Sequence, residues 1–504
     1  MKSKYILPLI AVLMAATACH LDEDTSFIST SENFYTNKTQ CQAAVNACYI
    51  PINSLYNYIL FIAVEGTTDL AWSRSATLDS HLDISPSQPR YGATAWQQGY
   101  YGVRACNGAI AGISRADIDA AVKAQMLAEC KIVRAFYYWF LTSLFGDVPF
   151  YTDDVCDEAT LEKVSHLPRM SADDTRAFLI DELQGCVEVL DKVRSAEVTD
   201  NHMGAAVGYM LIAKMAQWNK EWQTSLEALT KIEEIYGDLQ EYPLSDIPFR
   251  YKNTPESIFE VQHTYTLGGL SYTSNVAALC LPYTKTVDAD GTARYSGVVI
   301  PEIGNEATAW APTMANSYLV NNLLATETHD KRRDMSVVRD YNGEEFTYTK
   351  NGSHSTTAFL GPKFWCPGMI LTADHNNYKV FRYADAILMI AEAHCMLQDD
   401  VDETLRYLNM TKERAGVRLF TSTNWNSILE EIMAERGREL FGEFQRKFDL
   451  VRWGTWYERT LEETGSSYVK ASIRPCHRFY PIPDVQVAYS GYALDNDEYK
   501  LYGL

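Results

Sequence analysis

Apolar residues at Met126, Cys130, Val133, Tyr137, Phe140 and Leu144 recur in alternating steps of four and three. That spacing lays them along one stripe of an α-helix, with Lys131, Arg134 and Thr142 off the stripe. Gly146 suits a helix C-terminus, Asp147 favours a turn, and Pro149 keeps the helix from resuming. From Met126 to Phe145 the helix would be about 30 Å long at ~1.5 Å per residue. Its second half, Phe136-Tyr-Tyr-Trp-Phe140, is aromatic all round, which predicts burial between neighbours and makes it the centre of a helical domain.

Helical periodicity recurs on both sides. Ser31 to Tyr58 reads as helix, with Pro51 complicating it and starting a second helix through Tyr58. Another runs from Thr94 with Trp96, Tyr100, Val103 and Ala111 facing inward. Ser171 to Val193 is amphipathic, and Gly204–Asn219 with Glu221–Tyr236 makes a helix pair with almost no linker. Such pairs are what a tetratricopeptide-type unit looks like, without a strict 34-residue period, so irregular helix pairs wrapped into a solenoid fit better. From 237 to about 377 the periodicity is lost. Gly, Pro, Thr, Asn and Tyr dominate, and only short strand-like pieces such as Ser257–Gln262 stand out. A loop region of that length inside a compact domain implies a function. Helix returns at Arg382–Ala393 and Glu403–Ala415, with Gly416 as its cap. A Ser427-x-x-Glu430 capping box then opens a helix from Ile428 that carries Glu435 to Arg452.

Charge and cysteine narrow the partners. The formal charge is −21, and −23 once Lys2 and Lys4 leave with a leader, so nucleic acid and anionic lipid headgroups are poor partners. The eleven cysteines include no C-x-x-C pair. Cys130, Cys186 and Cys395 sit among apolar residues as small hydrophobes, and mostly free thiols are expected. Residues 1–18 combine two lysines with an apolar run from Ile6 to Ala18, too short for a membrane span and suited to a signal peptide. The run ends in Ala16-Thr-Ala18-Cys19, which resembles a bacterial lipobox with Cys19 as the lipidated residue; Ala stands where Leu is usual.

Several segments resemble one family in order. They are Trp96-x3-Tyr100-x5-Cys106-Asn107, then Arg134-Ala-Phe-Tyr-Tyr138 running into Leu144-Phe-Gly-Asp-Val-Pro149, then Asp330-Lys-Arg332 and Pro362-Lys-Phe364. Arg382-Tyr-Ala-Asp385, Glu435-Arg-Gly-Arg-Glu-Leu440 with Arg446-Lys-Phe-Asp-Leu-Val-Arg-Trp453, and Tyr480-Pro-Ile-Pro483 follow. Together they resemble the SusD/RagB family of outer-membrane lipoproteins over nearly the whole mature chain. The resemblance implies a mainly α fold with tetratricopeptide-like helix pairs and a large irregular, loop-rich ligand-binding region. It implies one domain over 19–504, comprising a helical part (19–236), a loop-rich insert (237–377) and C-terminal helices with a tail (378–504). It implies an outer-membrane location facing outward, an oligosaccharide ligand, and a SusC-like TonB-dependent β-barrel transporter as partner. Peptide capture by the same architecture is the alternative.

The chemistry-bearing residues agree with binding rather than turnover. Glu435, Arg438, Glu439, Arg446, Asp449 and Arg452 recur at helical spacing, as expected of a helix edge that pairs its charges at i,i+3 and i,i+4 and makes some bridges to other helices. The Asp153-Asp154, Asp173-Asp174 and Asp399-Asp400 pairs fall at turns or helix starts, where Asp is common. The sequence has no H-E-x-x-H, G-x-S-x-G or Walker pattern, and the histidines are scattered singly. Asp288-Ala-Asp290-Gly lacks the remaining ligands of a calcium loop, so calcium stays a bare possibility with no motif behind it. Sugar rings stack on Trp and Tyr while their hydroxyls pair with Asp and Arg. The candidates are therefore Asp69, Trp72, Arg74 and Trp96 in the first part, and Tyr283, Tyr295 and Trp310 in the middle. The family's starch site draws on an Asp, Arg and Trp early and a Tyr and Trp in the middle. Asp69, Arg74, Trp96, Tyr295 and Trp310 best fit that order.

Overall fold

A computed structural model describes residues 34–504 except 75–78, 268–269, 311–312, 328, 351–352 and 357. The leader and Cys19 lie outside the described residues. The first half is helical: α1 (Lys38–Leu55), α2 (Tyr58–Val64), α3 (Tyr91–Arg115), α4 (Ala120–Phe145), α5 (Ala172–Glu188), α6 (Ala205–Trp218) and α7 (Trp222–Tyr236). After the short α8 (Val276–Cys280) come α9 (Tyr383–Leu397), α10 (Val401–Ala415), α11 (Trp425–Glu439) and α12 (Arg446–Arg452).

Helix α4 begins six residues before its apolar stripe. The Asp119 carboxylate accepts the Ala121 and Val122 N–H groups at 3.0 Å each and so caps it. Phe136 to Phe140 are all buried, each worth about 1.5–3 kcal/mol by area. The buried tyrosines stay satisfied. The Tyr137 hydroxyl donates to Cys48 O at 2.6 Å, and that of Tyr138 donates to Tyr151 O at 2.8 Å while accepting its N–H. On the neighbouring α3, a Cβ at Gly102 would fall 2.1 Å from the Tyr137 ring, so only glycine permits this approach.

Neighbouring helices stack in chain order: α3 against α1 and α4, then α4 on α5, α5 on α6 and α6 on α7. The next helix in the stack is α9, although residues 237–382 separate it from α7 in sequence. The middle segment is therefore an insertion in a continuous helical stack. Its neck is an antiparallel ribbon of β2 (Ser257–Val261) and β4 (Tyr378–Arg382), which brings the two ends together. The insert is loop-rich as expected, and the short strands within it pair as two-stranded antiparallel ribbons. Ala277, Tyr295, Ile300, Phe359, Trp365 and Met369 belong to its own apolar core. One further ribbon, β1 (Ala71–Ser73) with β3 (Thr313–Ala315), stitches the early loop to the insert.

Three local expectations are corrected. Pro51 lies inside α1 rather than opening a helix, and the break falls at Tyr56, after which Asn57 caps α2 through the Ile59 and Leu60 N–H groups. Ser427 is not a cap: Asn424 is, accepting the Ser427 N–H at 3.0 Å. The helix also does not run through to Arg452. It stops at Glu439, because Gly442 and Phe444 take positive φ values of 78° and 61° in the turn before α12. The ten described cysteines are free. Among the described residues no single helix is long and apolar enough to cross a membrane.

Candidate functional site

The charged motif residues fill the interior. Arg332 pairs with Asp330, Glu435 and Glu439 at 2.8, 2.6 and 3.1 Å. Arg382 pairs with Glu256, Glu439 and Glu443 at 2.6, 3.1 and 2.9 Å, and Arg414 reaches Glu439 at 2.6 Å. Lys363 meets Glu443 at 2.7 Å, and Arg436 meets Asp449 at 2.8 Å. Both kinds of contact expected of these charges are present. Glu435–Arg438 and Asp449–Arg452 are i,i+3 pairs, and Arg414–Glu439 and Arg436–Asp449 bridge helices, while Arg332, Lys363 and Arg382 add buried bridges to the insert and its neck. Burial acts to raise the Glu439 carboxyl, but the Arg414, Arg382 and Arg332 guanidiniums hold it down to about 2. This network explains why D-x-R, P-K-F and E-R-x-R-E-L occur in one chain. Their charged side chains are largely partners of one another.

The early loop is tied to the same frame. Glu65, at the end of α2, accepts the Gly442, Gln445 and Arg446 N–H groups at 3.2, 2.9 and 3.3 Å. Burial pushes its carboxyl up to about 7 against those hydrogen bonds. Asp69 receives a two-pronged contact from Arg446, Nε to Oδ1 at 2.8 Å and Nη2 to Oδ2 at 2.7 Å. It is fully buried, so as placed it offers nothing to a ligand. Trp96 is likewise in the core, 5.0 Å from Tyr100 and 5.1 Å from Phe145 between ring centres. Tyr295 is buried in the core of the insert and donates to Gly304 O and Ala307 O at 3.0 and 3.1 Å. These three expected ligand contacts are corrected to structural positions, because helix and ribbon packing turned them inward. Trp72 is half-buried on β1, with its indole nitrogen edge against Gly465.

Of the remaining three candidates, Tyr283 and Trp310 are exposed and Arg74 is half-buried. Ser73 pairs with Thr313 at one end of the β1–β3 ribbon, and Arg74 follows Ser73 at that end. The Trp310 N–H donates to Ala278 O at 3.0 Å, which fixes it to α8, and Tyr283 follows the end of the same helix. The Arg74 guanidinium lies over the Tyr283 ring, 4.8 Å from its centre. Trp310 rests on Tyr58 with ring centres 4.7 Å apart and planes tilted 46°. Trp310 remains 45% exposed and Tyr283 37%, whereas Trp139, Trp365 and Trp456 are almost wholly buried. The sequence reading missed Tyr58, which it placed at the end of a helix. Asn57 was the available signal, since it starts a new helix and sets Tyr58 at its first turn.

The platform has two aromatic faces and one guanidinium held against an aromatic ring. It can stack on flat apolar faces and donate hydrogen bonds beside them. Nearby, Asp288 pairs with Arg294 at 2.7 Å and Asp290 accepts the Thr292 N–H. Among the described residues no group of three or more His, Cys, Asp or Glu side chains converges to hold a metal ion.

Residues 282–489 match the family described as the SusD family, and residues 21–177 match one described as starch-binding associating with outer membrane. The chain belongs to the SusD/RagB family. SusD-like protein P25 of Formosa agariphila is 23% identical over 99% of both chains. Among solved structures, a SusD homolog from Bacteroides thetaiotaomicron superposes with a TM-score of 0.75 at 17% identity, covering 93% of this chain and 98% of that one. Surface glycan-binding protein A from Bacteroides uniformis gives 0.73 at 20%, covering 92% and 100%. The protein of the same description from B. thetaiotaomicron, in complex with laminarihexaose, gives 0.69 at 20%, covering 91% and 99%. The mainly α SusD-like fold is common to all of them.

Proposed function

We propose that this SusD-family chain captures oligosaccharides on the platform formed by Tyr58, Arg74, Tyr283 and Trp310, with Trp72 at its margin. The observation that carries the reading is the exposed Trp310–Tyr58 contact beside the Arg74–Tyr283 contact, in a fold that buries most of its other large aromatics. Sugar C–H faces stack on such rings, and the guanidinium donates to hydroxyls. Two similar proteins are described as glycan-binding, one of them bound to laminarihexaose, which supports the ligand class. In this reading residues 19–504 act as one unit, anchored in the outer membrane through a lipid on Cys19 and facing outward. The unit serves a SusC-like TonB-dependent β-barrel, releasing ligand into it without breaking a bond. A cover of this kind acts only by differential affinity for the ligand between open and closed states.

The test is calorimetry on the soluble chain starting after Cys19, with neutral hexasaccharides including laminarihexaose and maltohexaose, and with peptides. Saturable saccharide binding that Trp310→Ala weakens at least about tenfold, with the saccharide recovered intact, is the expected result. Binding to peptides alone, or turnover of the saccharide, overturns the reading.

A further inference from the structure

A second cleft lies at the other end of the β1–β3 ribbon, away from the Trp310 platform. It has a volume of about 720 Å³, within the roughly 300–1,000 Å³ typical of ligand sites. One wall is a π-helical turn, Tyr318–Leu323, a rare geometry that is frequent at functional sites. The other is the 417–422 loop that follows α10.

Both walls are held in place. The Asn409 side-chain amide clamps the Phe420 backbone, accepting its N–H at 2.7 Å and donating to its carbonyl at 2.9 Å. Gly416, at φ 76°, turns the chain out of α10 into this loop. Across the cleft, the Tyr318 hydroxyl accepts from Arg459 at 3.4 Å, and that guanidinium sits 5.6 Å from the ring centre. The Tyr318 and Phe420 rings and the 46%-exposed Leu419 line the space together with Asn322.

The charges on the floor are already matched. Lys412 meets Glu431 at 2.8 Å, Arg438 pairs with the same Glu431 and reaches Glu435 at 2.7 Å, and Asp330 is held by Arg332. A charged ligand seated on the floor would have to displace one of these pairs, and at the rim the exposed Arg418 faces Glu327 at 3.9 Å as one further pair of opposite sign. A neutral polyol can donate to a carboxylate and accept from a neighbouring cation without disturbing either, while its apolar face meets the rings.

We propose that this cleft is a second binding site, for a neutral saccharide, separate from the Trp310 platform. The cleft's own geometry carries this site independently of the platform. The experiment is hydrogen-exchange mass spectrometry on the chain starting after Cys19, as wild type and as Trp310→Ala. The probes are laminarihexaose, maltohexaose and cellohexaose, with trigalacturonate and a mixed peptide pool as charged comparators. The expected result is protection of 416–424 and 318–326 by at least one neutral hexasaccharide, kept in Trp310→Ala. Either Asn322→Ala, at an exposed position, or Phe420→Ala then weakens the binding at least tenfold. Protection confined to 276–310 overturns the second site and leaves the platform standing. Protection of the cleft alone, in wild type as in the variant, supports the second site and overturns the platform. Cleft protection by charged probes only, or by none, overturns this proposal.

Discussion

The buried charge network and the Trp310 platform invert the usual surface logic. Arg332, Arg382 and Arg436 are among the largest fully buried side chains of the protein, while Trp310 and Tyr283 face outward. A single guanidinium in the interior would be costly to desolvate. Here each has two or three carboxylates within 3.1 Å, and those around Arg382 come from the insert neck, α11 and the turn before α12 at once. The network thus acts as a many-sided joint that fixes the insert onto the helical stack. Exposed aromatic rings, by contrast, add little to stability, and their use is the contact they offer. Motif density marks the joint in this protein, and exposed rings in contact with a further ring or a guanidinium mark the proposed site.

The largest effect expected on this contrast is at Glu439. Replacing it with Ala strips a shared partner from Arg332, Arg382 and Arg414, and chemical denaturation should show a loss of about 3–5 kcal/mol. A cost below about 1 kcal/mol would mean that the joint is not what holds the insert. Trp96→Ala, in the core under the same helices, should cost about 3–5 kcal/mol. Saccharide affinity, measured where the protein is still folded, should stay within about twofold; a selective loss of binding would return Trp96 to the site.

The pH dependence sharpens the comparison further. Glu439 is held down to about 2 in the folded chain against an ordinary 4.5. Its contribution is therefore complete above 4.5 and is lost as pH falls through 2. Glu65 is raised to about 7 from the same ordinary value, so its contribution is complete below 4.5 and is lost as pH rises through 7. In unfolding curves at steps from pH 2.5 to 8, the difference in stability between wild type and Glu65→Gln should shift between pH 4.5 and 7, and that between wild type and Glu439→Gln between pH 2.5 and 4.5. A Glu65→Gln difference that stays constant from pH 4.5 to 7 would show that the carboxyl beneath the early loop titrates normally. The smallest stability effect belongs to the platform: Trp310→Ala should shift unfolding by about 1 kcal/mol or less. If it unfolds the protein instead, Trp310 belongs with the core.

Much of the frame was legible residue by residue. The stripe from Met126 to Leu144, the helix pair around Gly204–Tyr236 and the C-terminal helices follow the 3.6-residue period, because each buries one face against a neighbour. The ordered motifs were legible too, as family signposts, though not as partners. Nothing local to Arg382 says that Glu256 and Glu443, more than fifty residues away on either side, will surround it. Errors of one turn came from capping: Asn57 and Asn424 competed with Pro51 and Ser427 as helix starts, and hydrogen-bond geometry chose between them.

Sequence alone determined the helical frame, the place of the insert in the chain and the residue types from which a binding site could be drawn. Of seven candidate contacts it could not tell which would face outward, because Asp69, Trp96 and Tyr295 carry the same chemistry as the residues that do. The tertiary structure decided that. The β1–β3 ribbon and α8 carry Arg74, Tyr283 and Trp310 to one surface and set Tyr58 beneath the indole. Exposure is a property of what packs on a residue, and for Asp69 and Trp310 the partners Arg446 and Tyr58 lie hundreds of positions away along the chain.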